Sequence, residues 1–487
     1  MYEQPQTKKV DDTSKLSFLD KFFHITERHS NVHTEIVAGL TTFMTMSYII
    51  IVNPSILQNA GMNFQAVFVA TCISAAVCTL LMGVVAKYPL ALAPGMGLNA
   101  VVTYGIVVGM HISWQVAMAL IFIEGLVIFV LVLTNLRELV LNSIPMSLKI
   151  SIGVGIGMFI AFLGFKGADI MVANSSDLIG FGSMSDPAVI VAVIGLILIM
   201  VFMALKIKGG ILYGILLASV ISIIICFAAN SAGIAFNIYG NPGVPAAVGS
   251  ALPAGTSNLP VMPSSIIQLP NSQTLSTIGQ LDILGALKLA PLTLLSLVFA
   301  LGMVDFFDMM GTIVSIGGSA GLMDSNGKLP RIKEALGVDA AAAMIGGFMG
   351  SSSNTAYVES ASGVSAGGRT GLASVVTAVL LLVAMLFVPL AYLIPGAATA
   401  PALIIVGFLM LSMVKNIPWD KFEEALPAFL TIVAMVFTFS ISKGIGFGFI
   451  SYCIIKIATG KWREVHPVMW IVAFVFLLYF VFVSNII

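Results

Sequence analysis

Residues 297–317 read LVFALGMVDFFDMMGTIVSIG. Apart from Asp305 and Asp308 the run is uncharged and long enough to cross a bilayer, which takes about 20 apolar residues. An ionisable side chain at mid-bilayer depth costs about 2.5–3.5 kcal/mol even on the mildest scale. Such a group faces a bundle interior or a cavity and marks a substrate or ion path. Residues 351–368, SSSNTAYVESASGVSAGG, hold a third acid, Glu359, in a run too rich in Gly, Ser and Ala for an ordinary lipid-facing helix. Irregular backbone at membrane depth is tolerated where protein surrounds it. These two stretches predict an all-α polytopic membrane protein, a carrier or a channel, with its chemistry at three acids.

Composition agrees. The chain has 487 residues, 59% hydrophobic and 9% charged, with a mean hydropathy of +1.06. Soluble domains carry roughly 25% charged residues. A net charge of zero offers no basic surface for nucleic acid. Cys72, Cys78, Cys226 and Cys453 lie in apolar runs without a neighbouring His, and read as buried inert thiols. The five histidines fall in tails or loops, so no metal set, cofactor site or nucleophile–base pair is expected, and the chain does not read as an enzyme. Residues 1–15 are polar, with no cleavable signal.

Apolar segments fall near 36–57, 66–86, 114–136, 145–165, 187–205, 210–230, 290–316, 332–350, 371–393, 398–414, 425–442, 444–459 and 467–486. Two short irregular stretches, 91–108 and 355–369, join them. A long polar loop over 233–287, with six prolines, splits the chain. With a cytoplasmic N-terminus, only Lys166, Lys288 and Lys443 of the 22 basic residues fall outside, as the positive-inside rule requires. Seven segments then lie in each half, so the second half enters inverted. Leu81-Met82-Gly83 echoes Phe348-Met349-Gly350, and Ile144-Pro145 echoes Ile394-Pro395. Inverted repeats with discontinuous elements near the midplane are a recurring transporter plan. The expected division is 1–33 (cytoplasmic tail with an interfacial helix near Lys15–Ile25), 34–232 (first repeat), 233–287 (extracellular loop), 288–465 (second repeat) and 466–487 (a terminal apolar segment).

Asp305 and Asp308 are three residues apart and share a helix face. Two buried carboxylates on one face repel, and desolvation disfavours both charges, which suits groups that take up and release a proton. A structural role, bonded to neighbouring backbone, is the other reading of each. Glu359 either caps its own half-helix or uses the free N–H groups there to share hydrogen bonds with a polar ligand. The first irregular stretch, Ala91–Ala100 (ALAPGMGLNA), has the same form with Asn99 in place of the acid. An amide offers donor and acceptor to a heterocycle, and Gly95 and Gly97 permit close backbone approach. Glu124, within IFIEGLVIF, reads as a helix-contact carboxylate. Gly153, Gly155 and Gly157 read as small-residue helix packing. Asn174-Ser175-Ser176 fits a glycosylation sequon.

HTEIVAGLTTFMTMSYIIIVNPSIL (33–57), LAPGMGLNA (92–100), ISWQVAMA (112–119), DFFDMMGT (305–312), AYVESASGVSAGGRTGL (356–372) and PGAATAPALIIVGFLM (395–410) resemble the AzgA-like purine permeases, a branch of the nucleobase:cation symporters related to uracil permease. The resemblance runs over residues 18–465. It implies about 14 spans in a seven-plus-seven inverted repeat, core and gate domains, and short strands and half-helices at spans three and ten with substrate between them. It places the binding amide at Asn99, the span-eight acid at Asp308 and the span-ten glutamate at Glu359. Asp305 is acidic in some relatives, and the flanking Gly97, Leu98, Val358 and Ser360 complete the expected binding set. Met309-Met310 departs from the small or hydroxyl residues expected there. The function implied is import of hypoxanthine, guanine or adenine across the plasma membrane. Proton coupling would run through Asp308, Asp305 or Glu359. Purine, proton, lipid bilayer and a second copy in a homodimer are the expected partners. The rival reading is an anion transporter or channel on the same architecture. Acids at the midplane oppose it.

Overall fold

The computed structural model describes residues 18–134, 144–174, 178–184, 186–231, 265–322, 329–438 and 440–482. The first part of the polar loop, residues 232–264, and the sequon's two serines lie outside them, as does the side chain of Cys226. The other three cysteines are buried and free.

Every apolar segment expected from the sequence is helical. The helices are α1 (Phe18–Phe23), α2 (Val32–Met46), α3 (Ile49–Leu57), α4 (Phe64–Leu81), α5 (Met96–Ala100), α6 (Trp114–Leu133), α7 (Met146–Gly167), α8 (Pro187–Ala204) and α9 (Gly210–Ser231). After the polar loop come α10 (Ile283–Leu287), α11 (Pro291–Ser319), α12 (Ile332–Met349), α13 (Ser360–Ser365) and α14 (Gly371–Ala384). The last four are α15 (Gly396–Leu411), α16 (Phe422–Phe437), α17 (Ile441–Ala458) and α18 (Pro467–Phe482). Among the described residues seven helical runs are long and apolar enough to cross a membrane by length and composition, and shorter apolar helices accompany them. The fold is a helical membrane bundle. The terminal segment, whose course the sequence left open, is the helix α18. It packs on α17 and α11 through Phe476, which meets Phe449 and Phe299 edge-on.

The two irregular stretches hold short strands, β1 (Leu92–Pro94) and β4 (Asn354–Ala356), each leading into a short helix. They pair with each other, antiparallel, Leu92 opposite Ala356 and Pro94 opposite Asn354. Pro94 lacks an N–H and suits a two-stranded sheet whose every strand is an edge. A second hairpin, β2 (Met171–Asn174) with β3 (Leu178–Phe181), follows α7. Nothing in its sequence had singled it out, because so short a polar–apolar alternation resembles an ordinary loop.

The helices pack in two groups. In one, α2, α3, α4, α6, α12, α13 and α14 surround the strand pair. In the other, α7, α8, α9, α15, α16 and α17 pack together. Small residues set the distances. A Cβ at Gly157 would lie 2.8 Å from the Gly407 carbonyl oxygen, and at Gly155 it would meet Met435 Sδ at 2.5 Å. The glycine run of α7 is therefore the seam against α15 and α16, as the small-residue pattern predicted. In the first group Gly83 and Gly371 touch backbone to backbone, and a Cβ at Gly371 would lie 1.9 Å from Gly83 O. Gly371→Val is expected to destabilise the protein by about 1–3 kcal/mol through overpacking, read as a lowered unfolding temperature in detergent. Gly337→Ala, at a helix position with open space around it, should be neutral or stabilising.

The first described residues, α1 and the turn after it, are tied to the bundle. Arg28 Nη1 donates to the carbonyls of Lys87 (2.6 Å) and Arg369 (3.1 Å), and Lys87 Nζ donates to Phe22 O at 2.6 Å. Phe23 and Ile25 pack with Leu372, while Phe18 and Leu19 stay exposed.

Candidate functional site

The site is built around the strand pair because interrupted backbone needs partners. Gly95 N–H donates to Ser353 O at 2.9 Å, and Tyr357 N–H to Ala91 O at 2.9 Å, extending the ladder at both ends. Tyr357 also sends its hydroxyl to Pro94 O at 2.6 Å. Thr79 Oγ1 both donates to Leu92 O (3.0 Å) and accepts from Leu92 N–H (2.9 Å). Two discontinuous elements, more than 250 residues apart, thus form one rigid unit.

Asp305 and Asp308 meet this unit from α11. Ser353 Oγ donates to Asp305 Oδ1 at 3.2 Å, and Asp305 is fully buried. Asp308 lies one turn further on: its Oδ2 is 3.9 Å from where a Cβ on Gly95 would stand. Since Gly95 and Ser353 are bonded to each other, the two aspartates reach one spot, as their spacing predicted. Their environments differ, Asp305 being enclosed and Asp308 partly accessible. A Cβ at Gly95 would press on Thr355 Cγ2 at 3.0 Å, so glycine there lets the two short elements meet closely.

Glu359 sits at the step between β4 and α13, in helical backbone conformation, and does not cap the half-helix through its side chain. Its Oε1 accepts a hydrogen bond from Tyr48 Oη at 2.5 Å, and its carbonyl accepts from Thr45 Oγ1 at 3.3 Å. Both partners come from the bend between α2 and α3. Hydroxyls that bond back to their own helix loosen it there, Thr41 to Val37 O and Thr45 to Thr41 O, a pattern that bends helices.

Asn99 is placed differently from the carboxylates. It is fully buried, and its Nδ2 donates to Asn53 Oδ1 at 2.7 Å. Asn53 in turn donates to Thr71 Oγ1 (2.7 Å) and Ser351 O (3.0 Å). Asn99 Oδ1 has no hydrogen-bond partner among the described residues, which leaves one acceptor of the amide uncommitted. The strands bring the two irregular stretches together, yet no described hydrogen bond joins Asn99 to Glu359. Of the flanking residues, Ser360 Oγ accepts from Ala91 N–H at 3.0 Å and so locks the strand unit. Leu98 is packed in the core and Val358 is 62% exposed. A Cβ at Gly97 would lie 2.8 Å from Ile156 of α7, so this glycine marks the close approach of the two helix groups.

Sequence reasoning missed Tyr48, Asn53, Tyr357 and Asp339. Asp339 is fully buried in α12, and Thr355 Oγ1 donates to its Oδ1 at 3.3 Å. A charge within apolar IKEALGVDAAAAMIGGFM was a signal of the same kind as Asp305. Glu124 is buried beside Gly302 of α11, a helix-contact position as expected.

A cavity of about 830 Å³ lies between the two helix groups, lined among others by Val52, Asn59, Val101, Tyr104, Leu403 and Lys443. None of Asn53, Asn99, Asp308 and Glu359 lines it. Lys166 and Lys443, assigned to the outer side by charge, stand at its wall.

A family model described as Permease family matches residues 33–447. Guanine/hypoxanthine permease PbuG of Bacillus subtilis (strain 168) is 41% identical, with 95% of this chain and 99% of that protein covered. Adenine permease AdeQ of Escherichia coli (strain K12) is 39% identical, with 96% and 97% covered. Among solved structures the transmembrane domain of the cyanobacterium bicarbonate transporter BicA superposes with a TM-score of 0.60 at 17% identity, covering 85% of this chain and 97% of that one. That last likeness is one of fold. The chain belongs to the Permease family, and within it to the AzgA-like branch whose motifs its sequence carries.

Proposed function

We propose that this protein imports purine nucleobases by proton symport. The observation that carries the reading is the pairing of β1 with β4, which sets Asp308 and Glu359 beside one break in the backbone. A neutral purine offers ring N–H donors and ring-nitrogen or carbonyl acceptors. Carboxylates at 308 and 359 accept the former, and backbone N–H groups where the strands give way to short helices would meet the latter. Relatives named for adenine and for guanine/hypoxanthine, each aligned over nearly the whole chain, support this substrate class. Asp308, Asp305 and Glu359 are the groups through which a proton would couple.

The architecture we infer is a seven-plus-seven inverted repeat, 34–232 and 288–465, separated by an outer loop at 233–287. Residues 1–33 form the inner tail and 466–487 the closing segment. The protein lies in the plasma membrane with its N-terminus in the cytoplasm. The α2–α4, α6 and α12–α14 group acts as the core and the α7–α9, α15–α17 group as the gate. The cavity between them is the outer vestibule. Supporting this, each half has the order helix, helix, strand with half-helix, helix. An anion reading rests on fold likeness alone and places an anion against carboxylates, which repel it.

Radiolabelled hypoxanthine uptake, competed by adenine, guanine, xanthine and uracil with and without a protonophore, tests the proposal. Purine competition with loss of uptake on protonophore treatment is the expected result. Uptake that ignores all purines, or inhibition by bicarbonate alone, overturns it.

A further inference from the structure

We propose that Tyr48 is a positioning residue: its hydroxyl holds the Glu359 carboxylate in the orientation that receives the substrate's ring N–H. The inference rests on the reading of Glu359 as a purine ligand. Tyr48 stands at the bend between α2 and α3 and is 1% exposed. Its Oη reaches Glu359 Oε1 at 2.5 Å across 311 residues of sequence. A phenol has one O–H to donate, and here it is aimed at a carboxylate oxygen. It occupies one carboxylate oxygen and thereby fixes which lone pairs remain for a ligand. Glu359 needs such a tether because it lies on a step between a three-residue strand and a six-residue helix, where little else restrains its side chain.

Thr45 Oγ1, from the same bend, lies 3.3 Å from Glu359 O, farther than the carbonyl of Thr42 in its own helix at 2.9 Å. One turn and a half further on, Asn53 binds Asn99 and Ser351. A single helix bend therefore grips both discontinuous elements. A buried tyrosine could instead be only a packing residue whose hydroxyl takes the nearest acceptor. That alternative predicts a stability effect spread over any ligand, and no dependence on the state of Glu359.

The test measures hypoxanthine dissociation constants on purified full-length protein, together with KM and kcat of uptake. The variants are Tyr48→Phe, Glu359→Asp and the double variant. Neighbours in one hydrogen-bond network show strong coupling, so Tyr48→Phe is expected to raise Kd and KM by roughly 5- to 30-fold. Its kcat should stay within about twofold of wild type, and its unfolding temperature should be close to wild type because the ring is kept. In the Glu359→Asp background, where the shortened side chain already breaks the contact, the same change is expected to add less than about twofold. Wild-type KM in Tyr48→Phe, or an equal loss in both backgrounds, overturns the positioning role. Wild-type binding by both Glu359→Asp and Glu359→Gln instead overturns Glu359 as a ligand, which separates failure of that reading from failure of this one.

Discussion

Glu359→Gln is expected to lower purine uptake by about 10- to 100-fold while the protein still reaches the membrane in normal amount. The amide keeps the shape and can still accept from Tyr48 Oη, which lies 2.5 Å from Oε1 in the wild-type protein. It removes the negative charge. Hydrogen bonds to a charged group contribute about 1.5–3 kcal/mol, which is that range of affinity. Glutamine also turns one acceptor into an NH₂ donor, facing a substrate N–H donor to donor. The measurement is initial uptake of radiolabelled hypoxanthine normalised to membrane protein. Uptake at the wild-type rate would remove Glu359 from the site and leave Asp308 as the carboxylate beside the strand pair. A loss accompanied by low membrane protein would point to folding, so quantifying the protein is part of the assay.

Asp308→Asn should separate binding from energy coupling. Asp308 is the partly accessible member of the pair on α11, and it faces Gly95 at the strand crossing. Its neighbour Asp305 is enclosed and held by Ser353. Of the two, Asp308 is the less enclosed, whereas Asp305 accepts from Ser353 just before β4. In proteoliposomes with an imposed pH difference, the wild-type protein should concentrate purine inward from the acidic side. One proton per base gives roughly tenfold accumulation per pH unit. Asp308→Asn should exchange external for internal purine yet fail to accumulate it, its ratio staying near one whatever the gradient. Accumulation by the variant under a pH gradient, or wild-type accumulation that follows sodium and ignores a protonophore, overturns the assignment.

The two aspartates also show how far the sequence could be read. A spacing of three on an apolar run places both on one face of a helix, and the structure has both at the strand crossing. The division of labour between them was not legible. It depends on Ser353 and Gly95, which belong to other segments and choose which carboxylate is enclosed. Glu359 stood out as an acid in a small-residue run, but whether it caps its helix or is held by another group required its neighbour. That neighbour, Tyr48, sits inside MSYIIIVNP, where a tyrosine among isoleucines looks like any core residue.

Asn99 makes the same point from the other side. Its amide in a Gly- and Pro-rich stretch read as donor and acceptor for a heterocycle, yet in the structure its Nδ2 donates to Asn53 of α3. The glycines of α7 were legible as a helix seam, because small residues at close spacing have one common use in an apolar helix. Their partners, Met435 and Gly407, were not. The hairpin at 171–181 left no signal at all.

The sequence by itself determined the membrane class, the helical segments, the two interruptions and where Asp305, Asp308 and Glu359 fall on them. Hydropathy, chain breaking and the cost of a buried charge are properties of a residue and its few neighbours along the chain. Only the tertiary structure decided which acid is enclosed, which is held by a tyrosine and which amide is turned toward another amide. Hydrogen bonds between side chains depend on positions set to within a few tenths of an ångström by packing across hundreds of residues, and no local pattern encodes that.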